Sequence, residues 1–405
     1  MLSGRERILK AVAFEATDRA PLDLGGMLST SISCFAYPDL VRALGLPPRH
    51  PKVFDTGQML AWPDLDVLDA LGCDAVTMFM DATNAFAQPE LWHSYDFNGR
   101  LPAYVRDPKA FQALPDGTIL QHGGASKMPP TSHVFESEHG GQPLLLVGDI
   151  PKPDLDEVRK RLESERLREE TICAVKERCR RAREASDRAI FFNGPGAGIG
   201  IGAYTGIAMF PMLCLTEPEF VEELHEITVS HAIRQIEALL AEIHPYIDIY
   251  NISADDWGTQ NQTVASPDIF RRLFLPYYRR VNDAVHRAAP NVKTFLHSCG
   301  AIYDLIDMVV EAGFDILNPV QWTAGGHSYR EWKDKARGRI ALWGGGVNTQ
   351  QTLPLGTVDD VEREVTEIVR YMRQDGGFVF CAIHNILADV PGEKVAAMYR
   401  AAASA

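Results

Sequence analysis

Nothing in the 405 residues approaches the run of roughly 20 apolar side chains that a membrane-spanning helix needs. Positive charge is also in deficit: 40 Lys and Arg face 54 Asp and Glu, for a formal net charge of −14. Such a surface repels phosphate backbones and anionic lipid, so neither a nucleic acid nor a membrane is expected as partner. The one arginine-rich stretch, Arg178, Arg180, Arg181 and Arg183, is set among glutamates and reads as a solvated helix face. The opening MLSGRERILKAVAFEATDRA lacks the continuous apolar core of a signal peptide, and a cytoplasmic location is the expectation. The glycine-rich segments NGPGAGIGIGAYTG and WGGGVN lack a Walker lysine, and the first lacks the acidic follow-up of a dinucleotide site. Glycine there fits close approach of backbone to a ligand better than phosphate binding.

Cysteine is sparse, with seven scattered along the chain, an odd number that does not form a disulfide framework. Cys73, Cys173, Cys179 and Cys214 lie in apolar or helical surroundings and read as small core residues, and Cys34 stays unassigned. Cys299 and Cys381 have chemically interesting neighbours.

What is present is an alternation of short apolar segments with longer amphipathic ones. Strands are expected at 21–24, 74–80, 189–193, 247–251, 293–297, 314–318, 339–343 and 378–383, which makes eight. Helices are expected between them, clearest at 218–243, 268–288, 358–372 and 392–402. Thr216 and Ser266 stand as start signals ahead of Pro218 and Pro267. Polar or small residues follow strand after strand: NGPG, SADDWG, HSCG, NPVQ, GGGVN. That distribution predicts a (β/α)8 TIM barrel with its site at the C-terminal strand ends; a doubly wound sheet would gather such residues at one switch point. The early spacing is irregular. Residues 82–153 read as an insertion, a hairpin or lid carrying GTILQ and PLLLV, and helices near the N-terminus as a cap. No composition break divides 1–405 into separate domains.

The sharpest chemical feature is His297-Ser298-Cys299-Gly300. In extended backbone a His-x-Cys pair points both side chains to one side, and imidazole nitrogen and thiolate are preferred zinc ligands. Further ligands would come from FVFCAIHN at the last strand, where Cys381, His384 or both could reach the same ion. The plainer alternative is that both histidines hydrogen-bond in the mouth while both cysteines pack. A second cluster, Asp255-Asp256-Trp257, lies too far from the helix starting near Ser266 to cap it, which leaves acid–base or cation-binding roles. Histidines 244 and 327 have no converging partners and read as surface residues.

HSCG, the closing FVFCAIHNILADVP, SADDWGTQ and the opening RERILKAVAFEATDRAPLD together resemble the uroporphyrinogen decarboxylase superfamily over almost the whole chain. That superfamily contains decarboxylases and zinc-dependent, corrinoid-linked methyltransferases. The methyltransferase branch is marked by a His-x-Cys pair and a later cysteine; His297 and Cys299 match the pair. The decarboxylases resemble PxWxMRQAGR near the N-terminus, where this chain has APLDLGGMLST, with no arginine to hold propionates. Some methyltransferases of the branch use a glutamate in the loop after the sixth strand, where NPVQ here offers the neutral Gln321.

The resemblance implies a zinc-dependent methyltransferase with His297, Cys299, Cys381 and His384 as the candidate metal ligands. Asp256 and Gln321 are the candidate catalytic groups, and Asn193, Asp255, Trp257 and Asn318 the candidate substrate contacts. A small methylated donor, a corrinoid on a separate protein or free, and thiol or folate acceptors fit this reading; a homodimer is compatible with it. A metal-free decarboxylase-like lyase is the alternative, and a non-catalytic corrinoid- or small-molecule-binding barrel a third reading.

Overall fold

The computed structural model describes residues 2–136, 152–200 and 206–405. Seven parallel strands form one sheet: β1 (Ala75–Phe79), β2 (Ala189–Asn193), β3 (Ile249–Ala254), β4 (Lys293–His297), β5 (Ile316–Asn318), β6 (Ala341–Trp343) and β7 (Phe378–Val379). They are hydrogen-bonded in sequential order from β1 to β7. The eighth stave is residues 21–24, which close the ring. Asp23 N–H donates to Phe380 O at 2.9 Å, Phe380 N–H to Pro21 O at 2.8 Å, and Asp74 N–H to Leu22 O at 2.7 Å. The expected (β/α)8 barrel is therefore what forms.

Strands are buried on both faces, as parallel staves flanked by helices must be, and AIFFN of β2 is buried at every position. Alternate inward residues fill the barrel. Phe191, Ile249, Phe295, Ile316, Trp343, Val379 and Cys381 belong to one interior cluster. Ile8 and Val12 of the first helix, α1 (Gly4–Val12), join that cluster and plug the N-terminal end. A capping box between Ser3 and Glu6 starts α1.

Boundaries differ from expectation where backbone partners change. The regular ladder ends at Val379 rather than 383, because its partner β6 gives way after Trp343 to Gly344 and Gly345 at positive φ. Gly346 N–H still donates to Cys381 O at 3.0 Å, while Phe380 bonds to residues 21 and 23 on the other side. β3 runs on to Ala254 through a bulge between Asn251 and Ser253. Ser266 caps its helix by accepting from Ile269 N–H, whereas Thr216 closes the preceding helix and Glu217 occupies the N-cap of Pro218–Ile243. Cys173 is exposed, not core: the buried stripe of its helix is Val175, Cys179 and Ala182.

Two buried carboxylates brace the N-terminal end. Asp74 pairs with Arg7 at 2.6 Å and Arg19 at 2.7 Å, and Asp248 pairs with Arg5 at 2.7 Å and with Arg183. Arg178 donates to Met80 O, and Arg181 lies over Phe86, so the arginine-rich helix face is anchored to the barrel as well as solvated.

In the insertion, His93–Asp96 and Pro102–Val105 form a hairpin. GTILQ supplies the middle strand of a three-stranded meander, Phe111–Ala113, Ile119–Gln121 and Ser126–Met128. Phe97, Phe111 and Phe135 pack as an aromatic group continuous with the main core, and Phe135 N–H donates to Gly57 O. PLLLV lies outside the described residues.

Candidate metal centre

β4 delivers His297 to the rim of the barrel, and Ser298 N–H donates to Asn318 O at 2.7 Å, keeping the backbone extended for one residue more. The pleat then sets Cys299 on the same side as His297, with Sγ 3.3 Å from the imidazole Nε2. His384 arrives from the segment after β7. Its neighbours are tied to residues 31–33: Ile386 N–H donates to Ser31 O at 3.0 Å, and Ser33 N–H to Ile386 O at 2.8 Å. One ligand atom each from His297, Cys299 and His384 lies within 4.8 Å of the others, the one such group of four residue types (His, Cys, Asp, Glu) among the described residues.

Cys381 is not in that group. It shares the pleat parity of Val379, so its side chain falls inside the packed barrel beside Trp343 and Phe295. Burial holds its thiol well above the ordinary range. As a candidate ligand it is therefore replaced by His384.

The donor chemistry fits a cation. Burial pushes His384 down to about 4 and lowers His297 as well, so both imidazoles are neutral at pH 7 and offer lone pairs. Burial, followed by the charge of Asp256, raises the Cys299 thiol; a divalent ion reverses that balance by binding the thiolate directly. Two imidazoles and one thiolate would give an ion three protein ligands, the number usual at catalytic zinc sites.

The loop after β3 is zipped against this turn. Asp255 N–H donates to His297 O at 3.1 Å, Gly258 N–H to Cys299 O at 3.0 Å, and Trp257 N–H to Ser298 Oγ at 3.0 Å. Asp256 Oδ1 accepts from Cys299 N–H at 2.9 Å and stands 3.6 Å from His297 Nε2, its side chain 51% exposed. Gln321 Oε1 accepts from Gly300 N–H at 2.7 Å, which places it as a brace for the turn.

The candidate substrate contacts are mostly occupied by the fold itself. Trp257 is buried against Phe270 and Phe274, with Nε1 donating to Tyr278 OH at 3.3 Å, so it is a core residue and not a substrate contact. Asp255 accepts from Ser253 Oγ at 2.5 Å and from Tyr278 OH at 3.2 Å. Asn193 uses its amide nitrogen on Gly26 O and Thr77 Oγ1, both at 3.1 Å. Asn251, not among the expected contacts, donates to Asn193 Oδ1 at 3.3 Å; its one signal in the sequence is its strand parity with inward-facing Ile249. Asn318 is buried against His297. His327 is half-buried, stacked on Tyr303 with centroids 3.8 Å apart, and His244 is half-buried too.

Beneath the mouth, Asp23 is fully buried. Burial pushes its carboxyl up to about 6, against the opposing bonds from Trp343 Nε1, Thr30 and Gly26 N–H. The folded chain therefore holds this proton more tightly than the unfolded chain, and stability falls as pH rises from about 4 to about 6. Asp23→Asn is expected to lose that part of the pH slope, read by urea denaturation of both proteins across the window.

The sequence model of the uroporphyrinogen decarboxylase (URO-D) family matches residues 149–405. The chloroplastic uroporphyrinogen decarboxylase 2 of Arabidopsis thaliana is 22% identical over 296 residues, covering 71% of this chain and 70% of that protein. The uroporphyrinogen decarboxylase of Syntrophotalea carbinolica is 30% identical over 142 residues, 35% of this chain and 37% of the relative. Among solved structures, a methyltransferase from Methanosarcina mazei superposes with a TM-score of 0.57 at 18% identity, covering 99% of this chain and 98% of its own, a likeness of fold.

Proposed function

From the premise that the chain belongs to the uroporphyrinogen decarboxylase family of enzymes, we propose that it is a metal-dependent methyltransferase rather than a decarboxylase. The observation that carries this reading is the convergence of His297, Cys299 and His384 on one point at the barrel mouth. These three would hold a zinc ion. When bound, the ion would supply Lewis acidity to the heteroatom that bears, or receives, the methyl group. The methyl donor is a small methylated compound, a methoxy, methylamine or methylthio species. The other methyl carrier is a corrinoid brought by a separate protein or free, or a thiol or folate acceptor.

The chain's own residues orient and desolvate. His297 is fixed by Asn318, Cys299 by the Asp256 carboxylate on its N–H and by Gly258 on its carbonyl. Asp256, half-exposed beside His297, is the group placed to take or return a proton at the heteroatom that gains or loses methyl.

The similarity to uroporphyrinogen decarboxylases of other organisms favours a second reading, a metal-free decarboxylase-like lyase. Against it, residues 20–30 contain no arginine to clamp propionates. Elemental analysis separates the two. About one zinc per chain is expected in the wild type and in Cys381→Ala, with loss in His297→Ala, Cys299→Ala and His384→Ala. Equal metal content in all five proteins sinks the proposal, and tetrapyrrole binding by a zinc-free wild type would install the alternative.

A further inference from the structure

The geometry points to Asn318 as a positioning residue that locks His297 into the one neutral tautomer able to present Nε2 to Cys299 and His384. The inference deepens the metal-centre proposal and rests on it for its consequence, though not for the tautomer itself.

An asparagine amide can ordinarily be turned over, so which of its atoms meets an imidazole is ambiguous. Here it is not. Asn318 Nδ2 lies 2.7 Å from Trp343 O, and a backbone carbonyl can only accept. That end of the amide must be NH2. The other end, Oδ1, lies 2.6 Å from His297 Nδ1, and an amide oxygen can only accept. Nδ1 must therefore carry the hydrogen. In a neutral ring the second nitrogen then has none, and Nε2, 3.3 Å from Cys299 Sγ, is left with its lone pair turned toward the other two donors.

The lock is rigid. Both Asn318 and His297 are buried, and their backbones are register partners in adjacent staves β5 and β4. The chain of dependence runs from the β6 backbone at Trp343, through the Asn318 amide, to the imidazole. Three consecutive staves thus set one lone pair before any ion arrives. Outer partners that hold a ligating histidine in this way typically matter about 10–100-fold for metal affinity.

Two variants divide positioning from simple structural support. Asn318→Asp loses the bond to Trp343 O but keeps an acceptor for Nδ1–H; Asn318→Leu loses both. The first readout needs no metal: long-range 1H–15N correlation spectra of the imidazole in chelator-treated full-length protein. Wild type and Asn318→Asp are expected to show His297 as Nδ1–H, and Asn318→Leu a mixture or the Nε2–H form. The second readout is zinc competition against a chromophoric chelator. Asn318→Leu is expected to bind zinc about 10–100-fold more weakly than wild type, with Asn318→Asp retaining most of the affinity.

A folded Asn318→Leu protein with wild-type tautomer and zinc affinity overturns the inference. So does equal impairment of the two variants, which would show that the acceptor for Nδ1–H, kept in Asn318→Asp, is not what fixes the ring. A wild type that shows the Nδ1–H ring but takes up no zinc supports the positioning role while removing the metal centre, so the two failures remain distinguishable.

Discussion

Gly300→Ala is expected to abolish zinc uptake and to cost roughly 2–6 kcal/mol of stability, the sum of backbone strain and overpacking. Gly300 adopts φ +89°, a region L side chains rarely enter. A Cβ there would also stand 2.2 Å from the carbonyl carbon and oxygen of Gly258. No rotation relieves that contact, because both partners are backbone. The reciprocal substitution meets the same wall, since a Cβ on Gly258 would lie 2.4 Å from Ala301 N. The two glycines cross where the turn carrying Cys299 meets the loop carrying Asp256. Separating them would release the Gly258–Cys299 bond of 3.0 Å and the Asp256–Cys299 bond of 2.9 Å together. Zinc content and urea unfolding of Gly300→Ala beside wild type check the claim; a variant that keeps the ion and its midpoint sinks it.

Asp74→Ala is expected to be as damaging to stability, about 3–5 kcal/mol, while leaving the metal stoichiometry of the surviving folded protein unchanged. Asp74 and Arg7 are both buried at the N-terminal end of the barrel, opposite the mouth. Removing the carboxylate strands Arg7, whose remaining acid partner is Asp18, and frees Arg19, while Leu22 N–H loses its acceptor at 2.9 Å. Leu22 belongs to the closing stave, so the loss reaches barrel closure. An isosteric Asp74→Asn keeps an acceptor and should fall between. The measurement is the unfolding midpoint of each variant with zinc assayed in parallel. An Asp74→Ala protein within about 1 kcal/mol of wild type would show that water replaces the buried pair without penalty.

These two positions differ in how visible they are in a sequence. The staves are readable because apolar runs of strand length recur with polar residues after each. Seven of the eight expected segments form strands, and 21–24 closes the ring through a single bridge and its backbone bonds. The ends of the strands are less readable: the ladder of β7 stops at Val379 where its partner runs into Gly344 and Gly345 at positive φ, a feature of a different stave. His297 and Cys299 stand out by spacing alone. The choice between Cys381 and His384 was also within reach: Val379 faces the packed interior, and pleat parity puts Cys381 with it. Trp257 misled because a polar loop normally exposes its aromatics, whereas here Phe270 and Phe274 from the following helices cover it. The crossing of Gly258 with Gly300 and the tie from Trp343 through Asn318 to His297 leave no local mark, because each joins residues that meet only once the barrel is wound.

The backbone beside His384 hangs from residues 31–33, which residues 25–30 link to the stave that seals β1 to β7. The third candidate donor is thus held through the same N-terminal segment that joins the two ends of the sheet. If zinc binds as proposed, its retention by the purified protein would double as a seal indicator, reporting ring closure without any assay of turnover.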